Sequence, residues 1–190
     1  LAKARQRLAF EEIFLDQLVF AFKRKASLHQ HGGLVFRAVG ESFNRFYDEH
    51  LPFELTGAQK RVLKEIRRDT ASGLHMNRLV QGDVGSGKTM VAFMALLMAI
   101  DNGFQGCLMA PTEILAQQHF ASLEPWCRAL GLRIGLLTGS VKTSARKPLL
   151  ADLQSGDLHI LVGTHAVLED PVEFKALGMA IVDEQHRFGV

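Results

Sequence analysis

The sequence predicts an α/β fold, a mostly parallel sheet with helices on both faces, and three observations predict it. From Met76 onward, short apolar runs alternate with longer segments of helical periodicity, the rhythm of strands joined by crossover helices. Between the first such run and the first such helix lies the glycine-rich string GDVGSGKT, Gly82 to Thr89. Near the other end, the apolar run Met179 to Val182 delivers two consecutive acids, Asp183 and Glu184, to the C-terminal end of a buried strand. With 190 residues and 47% apolar content, the chain can bury one such domain and carry an appendage.

The elements follow in order. From Leu8 to Phe22 apolar residues dominate, while Glu11, Glu12, Asp16 and Lys23 fall on one narrow strip, so a helix buried on most sides is expected. Lys23, Arg24 and Lys25 load its C-terminal end with positive charge that offsets the helix dipole, and Ser27 to Gly33 reads as a loop. A second helix is expected from Glu41 to His50, with Phe43, Phe46 and Tyr47 inward, ended by Pro52. The boundary of the main domain is placed near Leu51. Thr56 reads as an N-cap, with Gln59 completing a capping box for a helix reaching about Arg68 whose exposed face is basic.

Within the main domain, strands are expected at Arg78 to Gln81, Gly106 to Ala110, Arg133 to Leu137, His159 to Val162 and Met179 to Asp183. Helices are expected at Lys88 to Asn102, Glu113 to Leu130 and Ser144 to Gln154, with a shorter one around Glu173 to Leu177.

The chemistry concentrates in the punctuating strings. Gly82, Gly85 and Gly87 allow the backbone to turn successive N–H groups inward, which suits phosphate oxygens at a helix start. Lys88 can reach β and γ phosphates, and the Thr89 hydroxyl is placed to ligate magnesium. A carboxylate at Asp183 would hold the same cation, partly through water, and Glu184 would orient and activate an attacking water. Phe53, Thr56 and Gln59 form F-x-x-T-x-x-Q. Gln59 has the donor and acceptor that adenine edges require, and Phe53 can pack on the ring; the capping box is the rival account of Gln59, the adenine reading is preferred on motif context, and the two roles are compatible in different states.

Three further strings sit where strands should end: APTEIL from Ala110, TGS from Thr138, and GTHA from Gly163. Pro111, Thr112, Glu113, Gly139, Ser140, Gly163, Thr164 and His165 bring backbone N–H groups, hydroxyls or a helix start to one edge of the sheet. Such groups grip a nucleic-acid backbone without reading bases, and ordinary helix capping accounts for any one of them taken alone.

Charge and cysteine content narrow the class. Net charge is +2, yet between Glu124 and Asp152 the chain holds Arg128, Arg133, Lys142, Arg146 and Lys147 with no acid. That stretch reads either as a phosphate-facing surface or as a plain solvated face. Cys107 and Cys127 lack C-x-x-C spacing, which argues against zinc and against a disulfide framework and points to the cytoplasm. The longest apolar stretches are too short or too interrupted by charge to span a bilayer. Leu1 at the start and an acidic motif close to Val190 read as a piece of a longer protein.

Taken in order, F-x-x-T-x-x-Q, GDVGSGKT, APTEILAQQH, TGS, GTHA and DEQHRFGV resemble the first half of a superfamily 2 helicase motor, and more closely the RecG-type ATP-dependent DNA helicases. The resemblance is nearly continuous from Leu51 to Val190, and RLAFEEIF at Arg7 to Phe14 is similar to that family's helical connector. Transcription-repair coupling factors share GDVG and RFGV but typically carry tyrosine at the position of Ser86 and DEEQ in place of DEQH. The resemblance implies a RecA-like P-loop sheet at residues 51–190, incomplete, preceded at 1–50 by a connector from a wedge domain.

It further implies ATP held by Phe53, Thr56, Gln59 and the loop Gly82, Asp83, Val84, Gly85, Ser86, Gly87, Lys88 and Thr89, with Mg2+ at Thr89 and Asp183. Lys88, Asp183 and Glu184 would perform the chemistry, while Gln185 and His186 would couple nucleotide state to DNA. The implied protein is a monomeric DNA helicase or translocase for stalled forks and Holliday junctions in recombination and repair, with single-stranded-DNA-binding protein as a partner. A coupling-factor-like translocase, an RNA-stimulated remodelling ATPase and a P-loop kinase are the rival readings.

Arginine fingers come from a second motor domain in this class, so the chain alone is expected to bind nucleotide weakly and hydrolyse it poorly. In the same class the strand after DEQH inserts between the phosphate-loop strand and the DEQH strand. A gap, or an incompletely covered edge, is therefore expected between Arg78 to Gln81 and Met179 to Asp183.

Overall fold

The computed structural model describes residues 2–30 and 32–188. Its centre is a four-stranded parallel sheet in the order β2-β3-β1-β4, with β1 at Gln105–Met109, β2 at Ile134–Leu137, β3 at Ile160–Gly163 and β4 at Leu177–Val182. All these strands were expected, each within two residues of its observed bounds.

Successive side chains on a strand face opposite ways, and this sheet uses both faces. Leu108, Ile160, Val162 and Met179 enter one core, together with α4 (Lys88–Ile100) and α5 (Glu113–Ala129). Cys107, Met109, Leu137 and Leu161 enter another, against Leu149, Leu150 and Leu153 of α6 (Thr143–Ser155). α4 is buried along nearly its whole length, as its run of Met, Val, Phe, Ala and Leu requires. Both cysteines are free and buried, and burial pushes each thiol up to about 12.

The N-terminal third departs furthest from expectation. α1 runs from Ala2 to Gln30, so Ser27 to Gln30 are helical and not loop. Phe10, Ile13, Phe14, Leu18, Phe20 and Phe22 are exposed, which corrects the expected burial: the helix is apolar around most of its circumference, but the described residues provide no core for it to enter. The next segment does enter the core. α2 (Glu41–Arg45) continues as a π-helical turn to His50, and Phe46 packs edge-on against Phe93 at 4.9 Å and Trp126 at 5.4 Å. Tyr47 is exposed, not inward.

The N-terminus of α2 is held from a distance. Gly40, its own N-cap, has no side chain, and Asp101 at the end of α4 accepts from the backbone N–H groups of Gly40, Ser42 and Phe43 at 2.9 to 3.0 Å. Asn102 clasps the adjoining backbone at Arg37 and Ala38.

α3 (Gly57–Ala71) forms with the expected capping box: the Thr56 hydroxyl accepts from Gln59 N–H, and Gln59 Oε1 accepts from Thr56 N–H. Leu63 and Ile66 face inward, while Lys60, Arg61, Lys64, Arg67 and Arg68 are exposed. The basic stretch after Glu124 is largely neutralised, since Arg128, Arg133 and Arg146 pair with Glu124, Asp152 and Glu169.

Two expected elements do not form. Glu173 to Ala176 is irregular and leads into β4 at Leu177, where a short helix had been expected. Arg78 to Gln81 is not a strand: the Arg78 guanidinium is drawn to Glu65 and Asp69 of α3, contacts that raise its pKa further, and Leu79 is exposed. No ladder joins this segment to β4 among the described residues, and a cavity of about 450 Å³ lies between them. The expected gap is present, and without a neighbouring strand to supply hydrogen bonds the 78–81 segment has no ladder to join.

Candidate active site

The cavity beside β4 gathers residues from distant parts of the sequence. Gly85, Lys88 and Thr89 of the glycine-rich loop, His119 of α5, and Asp183, Glu184 and Gln185 after β4 all line it, with Leu108, Met179 and Ile181 as an apolar floor. The position follows from the fold, because ligands of open α/β sheets bind beyond the C-terminal ends of the strands.

Gly87 is the N-cap of α4 with φ of 77°, a left-handed conformation that disfavours side chains. A Cβ there would also collide with the Gln59 amide. Gln59 Nε2 donates to the Ser86 carbonyl at 2.9 Å, so the capping-box residue also props the glycine-rich loop. Phe53 lies alongside, its ring half exposed. Each of the two Gln59 side-chain groups has one protein partner and capacity for one more.

Lys88 folds back over its own loop, donating from Nζ to the carbonyls of Gly82 at 2.8 Å and Asp83 at 2.9 Å. Thus a cation sits among backbone groups at a helix start, the arrangement that draws anions. Asp83 and Val84 form the exposed tip of the loop.

At the end of β4, Asp183 N–H donates to the Met109 carbonyl at 2.8 Å, which ties the acid to β1. Glu184 adopts a left-handed backbone (φ 50°, ψ 47°), unusual for a residue other than glycine, and its carboxylate lies 3.4 Å from His186 Nε2. Gln185 and His186 are exposed.

His119 was not among the residues singled out by motif. Its Nε2 lies 2.8 Å from Asp183 Oδ2, with both side chains partly buried. The only signal in the sequence was its place in APTEILAQQH, two helical turns beyond Thr112.

The strings at the other strand ends converge on the same edge. Thr112 caps α5 through Leu115 N–H. Glu113 accepts from both the N–H and the hydroxyl of Ser140, and Ser140 meets Thr138 at 3.0 Å. Thr112, Gly139, Ser140 and His165 are exposed, and Pro111 and Glu113 are half-buried. Gly163 and Thr164 are buried, and Thr164 Oγ1 has no hydrogen-bond partner among the described residues.

Known proteins are similar to this chain in sequence and fold. The chain is 50% identical over its full length to the ATP-dependent DNA helicase RecG of Synechocystis sp., and 54% identical over 98% of its length to that of Bacillus subtilis. It spans 23% and 27% of those relatives, about a quarter of their length. A solved structure of RecG bound to a three-way DNA junction superposes with a TM-score of 0.85 at 43% identity, covering all of this chain and 26% of that one. The family model for DEAD/DEAH box helicases matches residues 56–190, which contain the glycine-rich loop, APTEIL, TGS, GTHA and DEQH, and the chain belongs to that family, with its whole length similar to the RecG-type members.

Proposed function

We propose that this chain is the nucleotide-binding half of an ATP-driven motor that acts on branched DNA in recombination and repair. The observation that carries the reading is the convergence of Lys88, Thr89, Asp183 and Glu184 on one cavity at the helix start of α4. Residues 1–50 are the connector from a preceding wedge domain, and 51–190 are most of the first motor domain. The exposed apolar side chains of α1 fit a helix that packs against such a domain.

In this reading the triphosphate displaces Lys88 from the Gly82 and Asp83 carbonyls, and the ammonium moves to the β and γ phosphates. The remaining capacity of Gln59, with Phe53 beside it, meets adenine. Glu184 orients the attacking water. Thr89 and Asp183 fit Mg2+, since both offer hard oxygen atoms to one cavity. Mg2+ is characteristically held by one or two carboxylates with water and substrate phosphates, and would neutralise the charge of the phosphoryl oxygens.

The edge formed by Pro111 to Glu113, Gly139, Ser140 and His165 faces the DNA backbone, with Gly163 and Thr164 buried beneath it and shaping the strand end, and Gln185 and His186 couple it to the nucleotide. A monomer working in the cytoplasm, in contact with single-stranded-DNA-binding protein, completes the proposal. The similarity to a RecG bound to a three-way DNA junction supports branched DNA over RNA.

The test is made in the full-length protein. Lys88→Ala is expected to abolish ATP hydrolysis stimulated by branched DNA, and unchanged turnover would overturn the assignment. Stimulation by RNA and not by branched DNA would replace it with the remodelling reading.

A further inference from the structure

We infer that His119 is a positioning residue for Asp183, holding its carboxylate in the orientation that accepts the divalent cation; this rests on the reading of Asp183 given above. α5 is well anchored: Thr112 caps it, Ala116 and Leu123 are fully buried, and Leu115 and Phe120 pack on the same core. His119 projects from this helix to the end of the sheet, where Nε2–H donates to Asp183 Oδ2 at 2.8 Å.

Asp183 needs such a support. It follows β4, which has a partner strand on one side only among the described residues, and Asp183 N–H to Met109 is the hydrogen bond that holds its backbone. The next residue, Glu184, turns the chain away in a left-handed conformation. A carboxylate at the end of a half-supported strand rotates about two side-chain bonds, and each rotamer other than the productive one lowers the occupancy of a cation site.

His119 makes the one hydrogen bond to the Asp183 carboxylate among the described residues, which leaves Oδ1 without one. Side-chain exposures of 15% and 28% place the bond where water competes poorly, and a carboxylate acceptor strengthens it further. The same helix begins with Glu113, whose carboxylate binds Ser140, so α5 connects the TGS string to the Asp183 carboxylate through one rigid element. Groups that orient metal-binding side chains in this way typically account for 10-fold to 100-fold in metal affinity.

Two substitutions separate hydrogen bonding from shape. His119→Phe keeps a ring and removes the donor; His119→Gln removes the ring and keeps a side-chain N–H the same number of bonds from Cβ. In the full-length protein bound to a non-hydrolysable ATP analogue, Mn2+ binding is counted by electron paramagnetic resonance, and Mg2+ is titrated against ATP hydrolysis. His119→Phe is expected to weaken Mn2+ binding about 10-fold or more and to raise the half-maximal Mg2+ in step, with nucleotide binding in EDTA unchanged. His119→Gln should recover most of the affinity.

Parental Mn2+ affinity in His119→Phe would overturn the inference, and so would equal impairment of the two variants, since ring packing would then be what matters. Asp183→Asn serves as the reference. If it kept parental Mn2+ affinity and turnover, the reading of Asp183 would fail independently of His119.

Discussion

Glu113 and Ser140 are joined at the C-terminal edge of the sheet by a two-point contact: Oε1 of the carboxylate accepts from Ser140 N–H at 3.0 Å and Oε2 from the hydroxyl at 2.7 Å. In the proposed reading of this edge, the carboxylate occupies donors assigned to the DNA backbone. Removing its charge with Glu113→Gln is expected to tighten duplex DNA binding about fivefold, on the order of the 1 kcal/mol of a charge pair at contact distance in water. Fluorescence anisotropy at fixed salt measures it, and weaker binding would mean that the carboxylate organises the edge and does not screen it.

Gln59 has two separable duties, one to α3 and one to the glycine-rich loop. Gln59→Glu keeps the acceptor for Thr56 N–H but replaces the donor to the Ser86 carbonyl with a repelling oxygen. Unfolding in urea should stay within about 1 kcal/mol of the parent, the scale of one cap interaction, while the affinity for a fluorescent ATP analogue falls several-fold. Parental nucleotide affinity would show that the link to Ser86 does not shape the loop.

Asp101 caps a helix that lies some sixty residues earlier in the chain. Asp101→Ala leaves the N–H groups of Gly40, Ser42 and Phe43 without their acceptor in a partly buried position. A loss of about 1 to 3 kcal/mol is expected, the cost of an unsatisfied polar group. A smaller change in urea unfolding would indicate that water replaces the carboxylate.

His159 predicts a pH dependence. Burial, and then the nearby Arg133 guanidinium, lower its pKa, against a smaller opposing effect of Asp157. Its Nδ1 accepts from Arg133 N–H, which a protonated ring could not do. The unfolded chain therefore takes up the proton first. The stability that the neutral ring contributes is fully present above its unfolded pKa, about 6.5, and is lost as pH falls through the lower folded value. His159→Asn keeps an acceptor near Nδ1 and should flatten that part of the stability profile; an unchanged slope below about pH 6.5 would assign it to other groups.

Much of this molecule is legible in the sequence for a physical reason. The strands at Gln105, Ile134, Ile160 and Leu177 are short, apolar and bounded by turn residues, so local pattern and tertiary role agree. Thr56 and Gln59 are three residues apart, and a capping box is a local interaction. The cavity was foreseeable from GDVGSGKT and DEQH, because a phosphate loop and an acidic strand end belong to the same end of a parallel sheet.

Other features have no local signature. The apolar pattern of α1 records a need for cover without saying where the cover comes from, and its side chains stand exposed here. Arg78 to Gln81 has the composition of a strand, but a strand requires a neighbour, and the nearest candidate is across a cavity. His119 looked like one polar position on an amphipathic helix.

The sequence by itself determined the fold class, the order of strands and helices along the chain, the glycine-rich loop and the acids that answer it, since each depends on residues close together. Only the tertiary structure decided that His119 meets Asp183, that Glu113 holds Ser140, that Gln59 props Ser86 and that Asp101 caps α2. These pairings are hydrogen bonds between groups 27 to 64 residues apart. Such bonds depend on how whole helices and strands pack against one another, and no periodicity in the chain encodes that packing.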